Sequence, residues 1–301
     1  MISLQLQKST RIRLAPFFLF CSAFFWSLCG VLVKSCSWNA LSIAICRGIL
    51  SCLIYCCILR QMPKLNKTKI IVAVCYFMQS MLIILANRYT SAGCATALQN
   101  TSPIYIICLS ALYLKHKPLK REIVTCACML LGICLTLVGS IGGGFWGNIL
   151  ALISAFFYAG VFFFSNRPDA NPFESLVLGN GLFVLLLPVL LADPHVQAGQ
   201  PSNWLIVLAC SLLSGTVAWL FFAYSIRYVS ALQANFITMT EPIMSPLWTY
   251  LFLREKMSAT AVAGCVIVIV TLLIYNRLNR PHPVRVPKKD EAVSLTKAPP
   301  K

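Results

Sequence analysis

An all-α integral membrane protein is the fold class the sequence predicts, with ten transmembrane helices arranged as two inverted five-helix repeats around a central cavity. Three observations predict it: long apolar runs without charge, a lopsided distribution of basic residues between the connecting loops, and an internal repeat. Of 301 residues, 58% are hydrophobic and only 11% charged, where a soluble domain carries roughly a quarter. A helix needs about 20 apolar residues to span the hydrocarbon core. Ten runs fit: Leu14–Val33, Ala40–Leu59, Ile70–Ala86, Ala92–Leu114, Ile123–Gly139, Phe145–Ser165, Leu176–Ala192, Trp204–Tyr224, Ala231–Leu253 and Ala259–Tyr275. Barrel strands would read as alternating segments of about 10 residues, whereas these runs are continuous.

The first run follows Lys8, Arg11 and Arg13, as a signal peptide would. Its apolar stretch exceeds the usual ~7–15 residues and no small-x-small cleavage pattern precedes Lys34, so it reads as a retained helix. The formal charge of +17 would suggest nucleic acid in a soluble protein; in a membrane protein it reads as orientation, because cytoplasmic loops collect Lys and Arg. With the N-terminus inside, the inner segments and tail hold 20 basic residues and the outer loops four (Lys34, Arg88, Arg254, Lys256), with Arg47 left inside a helix. Both termini are therefore expected to be cytoplasmic, in a plasma (inner) membrane, with no nucleic-acid partner. Residues 1–13 form the N-terminal segment, 14–139 and 140–276 the two repeats, and 277–301 a basic, Pro-rich tail. The tail cannot bury a core and is expected to be disordered; its Lys and Arg suit anionic lipid.

Fifteen cysteines, 13 of them before Gly139, fall mostly within apolar runs and read as small hydrophobic filler. Cys126 and Cys128 point to different sides of a helix, and His116, His195 and His282 are far apart, so no metal site is expected. Asp169 and Glu174 read as loop or helix-start residues that cap.

Shifting the chain by 139 residues sets Arg88-Tyr89-Thr90-Ser91-Ala92 on Arg227-Tyr228-Val229-Ser230-Ala231, Pro103 on Pro242, Tyr113 on Phe252, Leu114 on Leu253 and Lys117 on Lys256 without a gap. A shift of 132 sets Ser22-Ala23-Phe24-Phe25-Trp26 on Ser154-Ala155-Phe156-Phe157-Tyr158. The halves are duplicates. Five helices per half is an odd number, so the second half enters the membrane from the opposite side. Inverted repeats with a midplane site and alternating access are a transporter design.

This order of helices, with a Pro in the fourth and ninth, resembles the EamA family of the drug/metabolite transporter superfamily. The segment Phe252-Leu253-Arg254-Glu255-Lys256 … Gly264 is similar to the family's junction between helices 9 and 10, with Glu255 at the usual Glu. The first repeat departs from the pattern by placing His116 there, which points to a structural role for the junction. The resemblance covers about residues 14–276. It implies a ten-helix transporter fold with a central cavity, and Arg47 is a common feature at its position. Family members carry amino acids, nucleotide-linked sugars, drugs and other metabolites, so the resemblance leaves the solute open.

Charge at membrane depth costs roughly 2.5–3.5 kcal/mol on insertion scales and so faces a partner or a cavity. Arg47 and Glu241 are the two charges well inside apolar runs. They pair with each other or with backbone carbonyls, or they line the substrate path; the residues leave both open. Together they suit a zwitterion, with Arg47 for a carboxylate or phosphate and Glu241 for an amine. Pro103 and Pro242 read as mid-helix kinks, a packing feature or a hinge. Gln99, Asn100, Thr101 and Ser102, against Asn235, Thr238 and Thr240, cluster before the prolines and are expected to face one another or the solute. Trp26, Tyr158 and Trp219 are expected to form a cage for an aromatic ring or a cation.

Gly142-Gly143-Gly144 lacks the Lys-Ser/Thr of a phosphate loop and reads as a linker between the repeats. No nucleotide-binding motif or catalytic constellation is present, so no cofactor and no enzymatic activity are expected. The expected function is secondary-active or facilitative transport, or exchange, of a small polar, amino-acid-like metabolite, S-adenosylmethionine included. A lipid flippase or intramembrane enzyme on the same scaffold is the alternative, and a homodimer is left open.

Overall fold

Inside a bilayer the backbone must satisfy its own N–H and C=O groups, and helices do so within one segment. The computed structural model describes residues 2–59, 63, 65–114, 119–138, 144–167, 169–197, 200–229 and 231–278, and among them there is no strand. His116, Lys117, Gly142, Gly143 and the tail beyond 278 lie outside the described residues.

The first half contains α1 (Ile2–Ser27), α2 (Cys29–Ser35), α3 (Ala40–Leu59), α4 (Lys67–Tyr89), α5 (Ala92–Gln99), α6 (Ser102–Leu114) and α7 (Lys120–Val138). The second contains α8 (Phe145–Ser165), then α9 (Pro172–Gly181) continued by a 3₁₀ turn (Leu182–Leu186) into α10 (Leu187–Leu191), and the short α11 (Pro194–Gln197). Next come α12 (Pro201–Cys210), a π-helical stretch (Ser211–Val217) and α13 (Ala218–Ser225). Last are α14 (Ala231–Ile237), a 3₁₀ turn (Thr238–Thr240), α15 (Glu241–Leu253) and α16 (Ala259–Leu278). Among the described residues, six stretches are long and apolar enough to cross a membrane: Arg13–Ser35, Ala40–Ile58, Lys67–Tyr89, Phe145–Ser165, Pro172–Leu191 and Pro201–Ser225. Ile123–Val138 and Ala259–Thr271 are shorter apolar helices.

Several runs expected to be continuous are broken. The run Ala92–Leu114 divides at Asn100 and Thr101, where Asn100 Nδ2 donates to Thr96 O (2.9 Å) and Thr101 Oγ1 to Leu98 O (2.7 Å). The backbone ladder also tightens there, with Thr101 N bonded to Leu98 O (3.1 Å) and Ile104 N to Thr101 O (3.0 Å). Pro103 then stands in the first turn of α6, where its missing N–H leaves no bond unmade. Pro242 likewise occupies the first turn of α15 after the 3₁₀ turn. The reading of both prolines as mid-helix kinks is corrected accordingly: each opens a new half-helix. The first run also breaks, at Leu28 between α1 and α2.

Two close approaches set the packing. A Cβ at Gly132 on α7 would stand 2.8 Å from Gly264 O on α16, so these helices cross backbone to backbone, as small residues permit in membranes. A Cβ at Gly30 would meet Ala92 Cβ at 2.6 Å, which brings α2 onto α5.

The repeat recurs in specific contacts. Lys34 Nζ, in the last turn of α2, donates to Thr90 O at 2.9 Å. The shifts of 132 and 139 carry Lys34 to Asn166 and Thr90 to Val229, and Asn166 Nδ2 donates to Val229 O at 2.7 Å. Gly144, at the start of α8, lines one pocket with Lys34 and Thr90, whereas Asn166 caps the far end of that 21-residue helix. At 1.5 Å rise per residue, about 30 Å separates them. One contact is thus made twice, at opposite ends of the molecule.

Candidate functional site

Between the halves lies a buried cavity of about 30 Å³ lined by Trp26, Cys29, Arg47, Gln79, Ile83, Asn87, Thr96, Gln99, Tyr158, Ser214, Trp219 and Glu241. Six residues singled out from the sequence therefore meet here: Trp26, Arg47, Gln99, Tyr158, Trp219 and Glu241. The space suits a water or an ion rather than a metabolite.

Arg47 is 4% exposed and lies over the π-helical stretch; a Cβ at Gly215 would stand 3.0 Å from its Nε. Ser51 and Tyr55, one and two turns further along α3, complete a polar stripe. Ser51 Oγ donates to Ser211 O (3.2 Å), and Tyr55 OH to Gly215 O (2.9 Å) and Thr216 O (3.0 Å). Helix α3 thus supplies donors to carbonyls that wider π winding displaces, a geometry often found at functional sites. The i, i+4, i+8 spacing of Arg47, Ser51 and Tyr55 was the legible signal for this stripe.

Glu241 is 5% exposed and opens α15, the half-helix that begins at the break. Among the described residues it forms no salt bridge with Arg47: the two pairs present are Lys34–Glu255 and Lys69–Glu174, each 2.7 Å. Two buried opposite charges share a cavity without neutralising each other directly.

On the opposite wall, Gln99 Nε2 donates to Gln79 Oε1 (3.0 Å) and Ser154 Oγ (2.8 Å), and Ser154 Oγ donates to Gln79 O (3.1 Å). Gln79 and Asn87, eight residues apart on one face of α4, were not anticipated; polar groups at helical spacing in an apolar run were the available signal. Three expected residues stand behind the lining. Asn100 lies beside the Glu241 carboxyl, Asn235 Nδ2 donates to Ser102 Oγ (2.7 Å), and Thr238 Oγ1 bonds its own helix at Asn235 O (2.9 Å). The Asn235–Ser102 bond joins the two breaks, one from each repeat.

The aromatic trio does converge, with ring centroids 4.7 Å apart for Trp26–Trp219, 5.9 Å for Trp26–Tyr158 and 6.4 Å for Tyr158–Trp219. A flat ring between two others needs about 7 Å, twice the contact thickness. The trio therefore packs on itself and leaves no slot for a flat solute.

A wider pocket of about 400 Å³ opens at the Lys34 end, lined by Lys34, Arg88, Lys256 and Glu255 among others. Glu255 Oε1 accepts from Lys34 Nζ, which ties the loop between α15 and α16 to α2. At the other end Glu174, in the first turn of α9, pairs with Lys69, and Asp169 accepts from the Thr68 hydroxyl. These acids bridge the halves; the N-cap position of α9 is held by Asn171, with Glu174 in its first turn. The Thr68 bond, foremost, holds the Asp169 carboxyl below its ordinary 3.8.

Helices broken at matching positions, a contact repeated at both ends and a polar cavity between the halves define a class: a multi-pass helical membrane protein of two like repeats. The chain belongs to the EamA-like transporter family, whose model matches it twice, at residues 13–138 and 145–277. It is also 26% identical over 259 residues to an uncharacterized transporter of Archaeoglobus fulgidus, covering 84% of this chain and 93% of that one. A solved crystal structure shares the fold with a TM-score of 0.62 at 16% identity, covering 88% of this chain and 98% of that one. The resemblance read from the sequence and the family match agree. By family the protein is a transporter, and by its apolar helices an integral membrane protein.

Proposed function

We propose that this chain moves a small polar solute across the membrane by alternating access, through ten crossings arranged as inverted repeats. The observation that carries it is the pair of opposite buried charges, Arg47 from the first repeat and Glu241 from the second, lining one cavity without a direct ion pair. Such charges persist at membrane depth where a cavity or a ligand uses them. An anionic group of the solute, a carboxylate above all, docks on Arg47, and a cationic centre docks at Glu241; amino-acid-like zwitterions are the solute class. The broken helices Ala92–Leu114 and Ala231–Leu253 supply two of the ten crossings, and their breaks at Asn100–Thr101 and Thr238–Thr240 flank the cavity as hinges ahead of Pro103 and Pro242.

The doubled Lys34–Thr90 and Asn166–Val229 contact supports inversion, because it relates the repeats by a half-turn. The end that carries Lys67, Lys69, Arg167 and Arg227 is the basic one and faces the cytoplasm on the positive-inside rule. Because the cavity is smaller than a metabolite, solute entry requires the halves to part at one end.

Proteoliposomes loaded with a panel of labelled amino acids and related zwitterions test the reading. At least one should accumulate, and Arg47→Ala should cut its uptake tenfold or more. Gly215→Ala, which crowds the Arg47 side chain, should raise the apparent KM with less effect on the maximal rate. Undiminished uptake by Arg47→Ala and Glu241→Gln alike would remove the site assignment.

A further inference from the structure

We propose that the junction of α2, α4, α5 and α15 is a binding site for a compact monovalent cation of sodium's size. Four buried side-chain oxygens lie on the elements that meet there, Asn87 Oδ1, Asn100 Oδ1, Glu241 Oε2 and Ser245 Oγ, and none of them has a hydrogen-bond partner. The amides are not free to turn over. Asn87 Nδ2 donates to Ile83 O (3.0 Å) and Asn100 Nδ2 to Thr96 O (2.9 Å). A carbonyl only accepts, so each amide nitrogen must face its carbonyl and each Oδ1 must point away from it.

The four oxygens belong together by position. Glu241 and Ser245 are one turn apart on the same face of α15. The Asn100 amide group lies beside the Glu241 carboxyl. Asn87 Oδ1 and Ser245 Oγ each stand 3.4 Å from the point a Cβ would occupy at Gly30. Glycine at that position keeps the approach open, and Asn87 and Glu241 line the same cavity.

Uncharged amide oxygens, a hydroxyl and one carboxylate are a hard-oxygen set, which suits alkali and alkaline-earth cations. A single carboxylate matches a single positive charge, and a divalent ion would leave a net charge buried at membrane depth. The carbonyl end of α5 points at Asn100 and adds partial negative charge. Arg47, on the same cavity, acts against a cation, and that repulsion falls when an anionic solute group occupies Arg47. Cation and solute should therefore strengthen each other's binding by the same factor. This last step rests on the transport reading; binding of the ion does not. Two sources offer the chemistry, a free alkali ion and the ammonium of a solute, and they differ in what saturates the site: sodium or methylammonium.

The full-length protein in detergent, without solute, provides the test. NaCl is titrated against choline chloride at constant ionic strength, with thermal unfolding and the fluorescence of the cavity residues Trp26 and Trp219 as readouts. Sodium should raise Tm saturably by several degrees and change the emission where choline does neither. Glu241→Gln should abolish the response. Ser245→Ala, which removes one hydroxyl and keeps the helix, should raise the half-saturating NaCl at least threefold even if the first variant folds poorly. Equal responses to choline and sodium, or a sodium response unchanged in Ser245→Ala, overturn the site. A saturable response to methylammonium with none to sodium also overturns it and assigns the oxygens to a solute ammonium. Uptake that persists in choline medium, with no sodium shift, defeats this inference and leaves transport standing. A sodium shift in a protein that moves no solute does the reverse.

Discussion

At one end of the molecule Lys34 donates to the carbonyl of Thr90, and at the other Asn166 donates to that of Val229. Both donors follow the first long helix of a repeat, and both acceptors follow the third. The difference lies in what surrounds the donor. Lys34 also holds Glu255, from the opposite repeat, at 2.7 Å with both side chains about one-fifth exposed. Asn166 spends its second hydrogen on Ile226 O at 2.9 Å and makes no ionic bridge. The Asn166 end joins its halves elsewhere, through Lys69–Glu174 at 2.7 Å and through the Thr68 hydroxyl donating to Asp169. A neutral amide is thus enough to hold the shared contact, and the Lys34–Glu255 pair adds a charged, cross-repeat latch that the duplicated plan does not require. The comparison locates where the two ends differ: at one the donor of the repeated contact is itself ion-paired across the repeats, and at the other the repeated contact is neutral and the ion pair, Lys69–Glu174, is separate from it.

Breaking the latch should have the largest effect. Glu255→Ala leaves a half-buried ammonium without its carboxylate and should destabilise the closed Lys34 end by about 1–3 kcal/mol, seen as lower Tm and faster amide exchange over Thr90–Cys94. Asn166→Ala removes two hydrogen bonds and should cost about 1–2 kcal/mol, with accelerated exchange confined to the opposite end. If Glu255→Ala loosens both ends equally, the two mouths are one cooperative unit and the contrast between them fails.

Raising ionic strength from about 0.05 to 0.5 M should weaken the Lys34–Glu255 latch by less than about 1 kcal/mol. Exchange at Thr90–Cys94 should speed up while that around Val229 stays unchanged, and Lys34→Gln should abolish the response. The smallest effect belongs to Asp169. Its carboxyl is held below 3.8, chiefly by Thr68, so the ionised form stabilises the folded loop. That contribution is present above pH 3.8 and is lost as the pH falls through the lower folded value. Thr68→Val should move the Asp169 midpoint back up, read from its ¹³C carboxyl resonance; an unmoved midpoint would deny the hydroxyl its role.

Legibility from sequence varied with the range of the interactions. Arg47 and Glu241 stood out because charge in an apolar run is conspicuous, and Trp26 and Tyr158 because the repeat aligned them. Gln79, Asn87 and Ser245 did not, since a polar residue in a helix says nothing about which neighbour it will face. The broken helices were misread as continuous for a related reason. The run is apolar on both sides of the polar residues 99–102, and only the three-residue backbone bonds Thr101 N to Leu98 O and Ile104 N to Thr101 O show that the helix stops there. Pro103 and Pro242 were noticed, but only the backbone path shows that each stands in the first turn of a new helix.

Membrane class, duplication and the asymmetry of loop charge were determined by the sequence alone. Each is a property of the linear chain, set by how many apolar residues run together and where the basic ones fall. The tertiary structure decided the rest. Helix rotation and the close approach at Gly30 and Gly215 turn Arg47, Glu241 and a set of undonated oxygens onto one small space. Such convergence brings together partners as distant in the chain as Arg47 and Glu241, and no local pattern in a chain encodes which of its distant polar groups will be left unpaired.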